Sequence, residues 1–484
     1  MTLIGSLPVL AEDPGNPDSS PRIISLEECL QTAAVKNIGL QRTRLFITTS
    51  ILSRLRQESV FDPGFEADFS GKGVPSDKSN QFDLGLSCQL PNYYGGAWIF
   101  SLSQSRGHGT TGLTEEPITS YNSKASLTYS MSLLEGSEER INRMGIDKAD
   151  LDIAKSEASL NEAARSLRFS IISAYINCAL TAKNIEVAKL SLQTAQNLVD
   201  RTQAFLDVGS VAPYELLSAQ AGLAERQENL LNTQSAHAIA LDNLKNLVGL
   251  DLGENIEIDS SILKPIKFEA KLDDYLAIAE QNRADLKEID LRIRSAELDI
   301  LLADDSVKPS LSLNNTFSYS GTAFGYGKSI SGLSDFTWYS GLAFKLPLGG
   351  NRAAVSGLKT AKISLEGINL ERDDFLRNLE TDLRSDIENL NNALQRIEVA
   401  TKGLEVQKMK LQDEQKRLEL GLITSRDLLE FDLDLANAGY ALDSAMADAL
   451  LAVSKLEFLT NKGLLADVLA YTDLLNPASS GNNE

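Results

Sequence analysis

Residues 121–136 run YNSKASLTYSMSLLEG and change period within a few positions. Tyr121, Ser123, Ala125, Leu127, Tyr129, Met131 and Leu133 alternate with Asn122, Lys124, Ser126, Thr128, Ser130 and Ser132. This two-residue period predicts a strand with one apolar and one wet face. Beyond Gly136 the apolar spacing becomes helical and stays so to about residue 208. Other segments alternate in the same way: Phe65 to Ser70, Phe82 to Leu90, Trp98 to Gln104, Leu311 to Tyr319, and Phe336 to Leu348. Strands of about ten residues joined by Gly/Ser-rich loops fit a transmembrane barrel as well as a soluble sheet. Alternation alone does not choose between them.

The rest of the chain reads as long packed helices. Ile387, Leu390, Leu394, Ile397, Thr401 and Leu404 form a heptad-like seam, and Leu192, Ala195, Val199, Thr202 and Leu206 form another. Ser25 with Glu28 is a capping box opening a helix that Asp62-Pro63-Gly64 stops. Helices are predicted over 25–60, 137–208, 213–249, 273–305, 351–420 and 425–462.

An internal duplication orders these parts. Leu206, Gly209, Glu215, Leu216 and Leu217 recur as Leu418, Gly421, Asp427, Leu428 and Leu429. Leu134 and Gly136 recur as Leu348 and Gly350, and Leu40 and Pro63 as Leu286 and Pro309. The expected organisation is a flexible lead over 1–22, a first repeat over 23–249, a linker over 250–272, a second repeat over 273–465 and a flexible tail over 466–484. Each long helix, at about 1.5 Å per residue, is long enough to pack against two shorter ones stacked end to end. That predicts a rod with the strands at one end and the turns at Gly209 and Gly421 at the other.

Composition narrows the function. The chain has 484 residues and carries 67 Asp plus Glu against 46 Lys plus Arg, a net charge of −21. That balance argues against nucleic-acid or anionic-lipid binding, since both need a basic face. Three scattered cysteines and two histidines support no disulfide framework, metal site or histidine chemistry. Phosphate loops, nucleophile elbows and zinc-protease signatures are missing, so neither catalytic residues nor a cofactor are expected and an enzyme is disfavoured. No run of about 18 apolar residues encodes a transmembrane helix. Leu3 to Ala11 reads at most as the tail of a secretory signal.

Taken in order, these features resemble the TolC family of outer-membrane efflux and secretion channels, from about Ser25 to Leu465. The resemblance is carried by the duplication and by Pro63 and Pro309 at the helix-to-strand junctions. It is carried equally by Leu133-Leu134-Glu135-Gly136 and Pro347-Leu348-Gly349-Gly350 at the strand-to-helix junctions, and by the turns Val208-Gly209-Ser210 and Leu420-Gly421-Leu422-Ile423-Thr424. It implies a mainly α protein with a β-barrel part. Three copies would close one outer-membrane barrel, continued by a periplasmic α-helical coiled-coil barrel. Closure across subunits removes sheet edges that lipid does not tolerate. The implied function is a passive channel-tunnel of a tripartite efflux or type I secretion system. Its implied partners are a homotrimer mate, a periplasmic adaptor (membrane fusion) protein, an inner-membrane pump and outer-membrane lipid. Family members carry four strands per chain, so the additional hairpin near Phe82 to Gln104 is expected as an extended external loop. Many relatives have Gln-Pro before the first strand-to-helix junction, where this chain has Met131-Ser132. The competing reading is a soluble periplasmic coiled-coil scaffold or adaptor, although an adaptor should show one hairpin and a compact β domain rather than two repeats.

Site residues follow from the same resemblance. Asp427 and Glu430 stand three apart on one helix face and match the family's acidic constriction, where rings of carboxylates favour cations. Thr424 with Asp427 also makes a plain helix-capping pattern. Glu215, the first-repeat counterpart of Asp427, matches a position that helps hold the aperture closed, or it serves simple helix-start chemistry. At the positions of the family's closing Tyr and Arg stand Leu418 and Ile423, so other contacts, Arg426 among the candidates, must close this aperture. Adaptor docking would fall to Val208, Gly209, Ser210, Leu420, Gly421, Leu422 and Thr424, the glycines also being natural helix C-caps. Trp98, Tyr121, Trp338 and Tyr339 read as an interfacial aromatic girdle or as ordinary strand positions.

Overall fold

The computed structural model describes residues 22–74, 79–109, 118–420 and 422–464. All of the expected lead but Arg22, and the whole of the expected tail, lie outside the described residues. In chain order come β1 (Arg22–Ile24), α1 (Leu26–Lys36), α2 (Ile38–Glu58), β2 (Gly64–Val74), β3 (Ser79–Pro91), β4 (Gly96–Gly109) and β5 (Ile118–Ser132). They are followed by α3 (Glu139–Asp207), α4 (Pro213–Val248), β6 (Ile256–Ile258), α5 (Leu272–Asn282) and α6 (Ala284–Asp305). Last among the described residues come β7 (Ser310–Ala323), α7 (Tyr326–Ser331), β8 (Asp335–Lys345), α8 (Arg352–Glu419) and α9 (Ser425–Thr460). Among the described residues no helix is long and apolar enough to cross a membrane, which says nothing about the strands.

Each predicted short helix that leads to strands is broken once. Asn37 ends α1 with its N–H on the Ala33 carbonyl, starts α2 by accepting from Leu40 N–H at 2.9 Å, and donates to the Leu247 carbonyl at 2.8 Å. Arg283 makes the equivalent break between α5 and α6, its guanidinium 5.1 Å from the Phe375 ring and 5.9 Å from that of Phe458. These residues stand just ahead of Leu40 and Leu286, so the duplication extends to the breaks.

The chain divides into two compact units. One comprises Leu45–Ser159 and Asp285–Asp373. Its six strands form one antiparallel sheet in the order β2-β3-β4-β5-β7-β8. Here the structure corrects the sequence expectation: β3 and β4 are not an external loop but inner strands, each hydrogen-bonded to its neighbours along nearly its whole length. Apolar residues alternate with polar ones through both strands, with one charge in each (Asp83 and Arg106), so they satisfy the same pattern as β5 and join it. A second correction concerns β8, which ends at Lys345, so that Leu346 and Leu348 lie past it. Helical residues of this unit are tied by ion pairs, among them Arg54 to Asp150 at 2.5 Å and a two-pronged Arg292–Glu371 pair at 2.6 and 2.8 Å. The turn at Gly136, whose φ is +73°, is held by its N–H on the buried Asp305 carboxylate at 2.7 Å. Only glycine takes that backbone angle without strain.

The other unit holds the described residues up to Arg44 and from Asp374, together with Leu160–Ala284. Its largest core combines α8 and α9 with α3 and the linker: Leu383, Leu390, Leu450, Val453 and Leu456 are fully buried there. A second core joins α1, α3 and α4 around Tyr175, Leu244 and Val248. The linker contributes β6, which pairs in parallel with β1, and Tyr175 fastens that pair by donating to the Ile24 carbonyl at 3.2 Å. Cys29 and Cys178 are free thiols in this core, and burial pushes them up to about 11 and about 12, so they stay protonated.

Candidate functional site

Two places in the fold match the predicted chemistry, one in each unit. The first is the sheet, whose register turns the sequence alternation into continuous columns. Phe65, Cys88, Phe100, Leu127, Phe317 and Trp338 are consecutive cross-strand partners, one from each strand. The adjacent column is Glu66, Ser87, Ser101, Ser126, Ser318 and Thr337. Hydroxyls in that column bond across strands, Ser101 to Ser126 at 2.6 Å and Ser318 to Thr337 at 2.7 Å. One face is therefore a wall of rings and aliphatic chains, and the other is a surface of hydroxyls with a few charges. That is the dyad of a barrel wall with lipid outside and water inside. Trp98, Tyr121 and Trp338 lie on the apolar face, but Tyr339, paired with Thr316, lies on the hydroxyl face and cannot belong to the same girdle.

The second place is the pair of helix turns. α3 ends at Gly209 with φ +75°, where Gly209 N–H reaches the Leu206 carbonyl at 2.9 Å and Ser210 N–H reaches that of Phe205 at 2.8 Å. This is a Schellman cap, which explains the glycine. α8 ends on the same pattern, with Leu422 N–H on the Arg417 carbonyl at 3.0 Å. Gly421 itself lies outside the described residues. Val208, Tyr214, Leu420 and Leu422 leave large apolar side chains in solvent around these turns. Exposed apolar groups grouped at a chain reversal mark a surface that meets something.

The helix starts differ between repeats. Thr424 caps α9 in a complete capping box: Asp427 N–H donates to Thr424 Oγ1 at 3.3 Å, and Thr424 N–H donates to Asp427 Oδ2 at 2.9 Å. Asp427 is thereby tied into the helix start, while Glu430 on the same face is exposed and outside that box. α4 starts from Ala212 and Pro213 with no side-chain cap, and Glu215 lies half-buried in its first turn. Leu418 packs with Leu198, Leu411, Leu428 and Leu429 in a small apolar core beneath the turns.

Beside that core lies a polar cluster that the sequence reading missed. Asp432 on α9 is buried and accepts from Ser191 of α3 at 2.5 Å. Arg226 of α4, also buried, donates to the Leu429 carbonyl of α9 at 3.3 Å. Desolvation raises the Asp432 carboxyl above its ordinary range, opposed by the Ser191 hydroxyl and the Arg226 charge. The close fit extends to Gly222, where an added Cβ would lie 2.4 Å from Leu429 Cδ1. A signal for this cluster did exist: Asp432 continues the apolar stripe of Leu428 and Leu435, and Arg226 that of Ala219 and Leu223, placing opposite charges at seam positions.

A family model described as outer membrane efflux protein matches residues 99–250 and 276–462, the larger part of both repeats. Outer membrane protein TolC of Vibrio cholerae is 19% identical over 320 residues, 66% of this chain and 73% of that protein. Among solved structures, the CmeC outer membrane channel of Campylobacter jejuni superposes with a TM-score of 0.69 at 16% identity, over 94% of this chain and 89% of that one. The outer membrane protein VceC of Vibrio cholerae gives 0.68 at 18% identity, over 92% and 95%. At such identities the solved structures speak for the fold.

Proposed function

The chain belongs to the outer membrane efflux protein family, and from that membership we propose that it is the outer-membrane channel of a tripartite efflux or type I secretion system. The observation that carries this reading is the two-faced sheet, an apolar wall backed by hydroxyls, joined to helices of 69 and 68 residues. Three copies close the free edges β2 and β8 against one another, because neither edge is tolerable in lipid. Cargo passes along the hydroxyl face without chemistry. The energy comes from an inner-membrane pump linked through a periplasmic adaptor, which docks on Val208, Gly209, Ser210, Leu420, Gly421, Leu422 and Thr424. Exposure of the apolar members of that set supports the docking reading.

At the turns Glu430, Asp427 and Glu215 supply the negative charge that favours cations. The missing Tyr and Arg contacts are replaced by the Ser191–Asp432 and Arg226–Leu429 bonds, which hold the start of α9 against α3 and α4. Adaptor binding opens the aperture by favouring the arrangement in which α9 has left them. The direct test is fractionation followed by imaging of the detergent-extracted protein. A threefold particle from the outer membrane is expected; a soluble monomer or dimer that needs no detergent would overturn the channel.

A further inference from the structure

The connection between β7 and β8 folds back onto the sheet. α7 packs over β7 and β5, so close that a Cβ on Gly321 would come within 2.4 Å of the Gly332 carbonyl oxygen and 2.5 Å of that of Ser329. Gly321 shares the apolar face with its pairing partner Ser123, so α7 covers that face and not the hydroxyl one. Two polar side chains of the apolar face are gathered beneath it. Ser329 Oγ lies 2.9 Å from Ser123 Oγ, Gln104 Nε2 donates to Ser329 Oγ at 3.5 Å, and Ser123 donates to Gln104 Oε1. Ser123 and Ser329 are buried, their hydroxyls satisfied within this group and by the Tyr326 carbonyl, to which Ser329 donates at 2.9 Å. Beside this seal a cleft of about 230 Å³ runs between Leu84, Leu86 and Leu102 of the sheet and Tyr326, Ile330 and Leu333 of the connection.

We propose that this cleft holds one acyl chain of an outer-membrane lipid. The inference rests on reading the sheet as the wall of a membrane barrel. The cleft is continuous with the face that this reading sets against lipid, and its floor is β3 and β4 rather than an edge, so a second copy pairing at β2 or β8 leaves it open. It also lies toward the strand ends remote from α3. There the Tyr121 and Tyr326 rings meet edge to face at 6.2 Å, and Phe324 and Tyr326 are exposed. Aromatic rings at that height mark a membrane–water boundary. Six apolar side chains form its opposing walls and offer a chain of methylene groups apolar contact; of the polar residues that also line it, Ser103, Gln104, Ser123 and Lys124, Gln104 and Ser123 are already bonded to one another in the seal.

The test uses the full-length protein taken from membranes and passed through detergent exchange, with retained lipid counted by native mass spectrometry. About one lipid per chain is expected. Leu86→Trp or Ile330→Trp, which fill the cleft from its two walls, should lose it. Leu342→Trp, the same change elsewhere on the apolar face, should keep it. No retained lipid in the parent protein, or equal retention in the filled variants, would overturn the proposal. Trp98 and Trp338, exposed on the apolar face, test the underlying reading separately in vesicles of phosphatidylcholine with brominated acyl chains. Quenching without lipid retention leaves the barrel standing and removes the cleft site; failure to quench removes both.

Discussion

The two carboxylates proposed for the gate at the second turn are held differently, Asp427 within a capping box and Glu430 outside it, and the difference can be measured. Thr424→Ala removes the cap of α9 and leaves both charges, so it should cost about 1 kcal/mol in local stability and leave cation preference unchanged. Glu430→Gln should do the reverse, lowering cation preference and block by multivalent cations without loosening the helix. The pair Asp427→Ala with Glu430→Ala should do both; unchanged selectivity and block in bilayer recordings would remove these residues from the gate. Asp432 gives a third expectation, with a sign fixed by its environment. Its carboxyl is raised above the ordinary value of 3.8, so the arrangement that buries Asp432, proposed as the closed form, binds the proton more tightly than one in which Asp432 is wet. That extra closed-state stability is fully present below the ordinary value and is lost as pH rises through the raised one. Closed dwell times should therefore lengthen as pH falls through the carboxylate range, and Asp432→Asn should stay long-lived and lose that pH dependence. Arg226→Ala, which removes the side-chain bond to the Leu429 carbonyl and the cation facing Asp432, should favour opening by about 1–3 kcal/mol, roughly five- to 150-fold in the closed-to-open ratio. These residues were hard to read because Ser191, Arg226 and Asp432 belong to three helices far apart in sequence. Only the charge on an otherwise apolar stripe betrayed each of the last two.

At the level of elements, period was the legible quantity. Two-residue alternation found every strand of the sheet, and the apolar column from Phe65 to Trp338 is that alternation made into contacts. Alternation is a property of one strand, however, and carries no information on which strand lies beside it. So β3 and β4 were visible as strands and invisible as sheet members. The helix breaks were missed for another reason: Arg283 has no Pro or Gly beside it, Gly39 lies past the break at Asn37 and inside α2, and each break is stabilised by distant groups, the Leu247 carbonyl in one case and two Phe rings in the other. The turns were legible because their glycines have a local cause. At Gly209 an added methyl would meet nothing within 4 Å, so Gly209→Ala should cost only the left-handed backbone angle, about 1–2 kcal/mol. Faster hydrogen exchange confined to the last turn of α3 is the expected result, with weaker adaptor binding if the turn is the docking point.

For the whole molecule the decisive number is the strands per chain. β2 runs away from α2 and β8 returns toward α8, so β8 of one copy meets β2 of the next antiparallel, and closure by three copies gives eighteen strands rather than the twelve that four per chain would make. With strands about 4.8 Å apart and tilted about 40°, eighteen enclose a backbone cylinder about 36 Å across, against about 24 Å for twelve. On the proposed three-copy closure, the additional hairpin would set the width of the pore. Two consequences separate this from a barrel of twelve with β3 and β4 displaced. Imaging of the particle should resolve eighteen strands around its axis. Hydroxyl-face cysteines on the hairpin, Ser87→Cys and Ser101→Cys, should react with a charged thiol reagent supplied through the lumen, whereas Leu86→Cys and Leu102→Cys should be reached by a lipid-soluble one. If all four react alike with the charged reagent, the hairpin lies outside the wall, and the column of hydroxyls from Glu66 to Thr337 is not the lining of the channel.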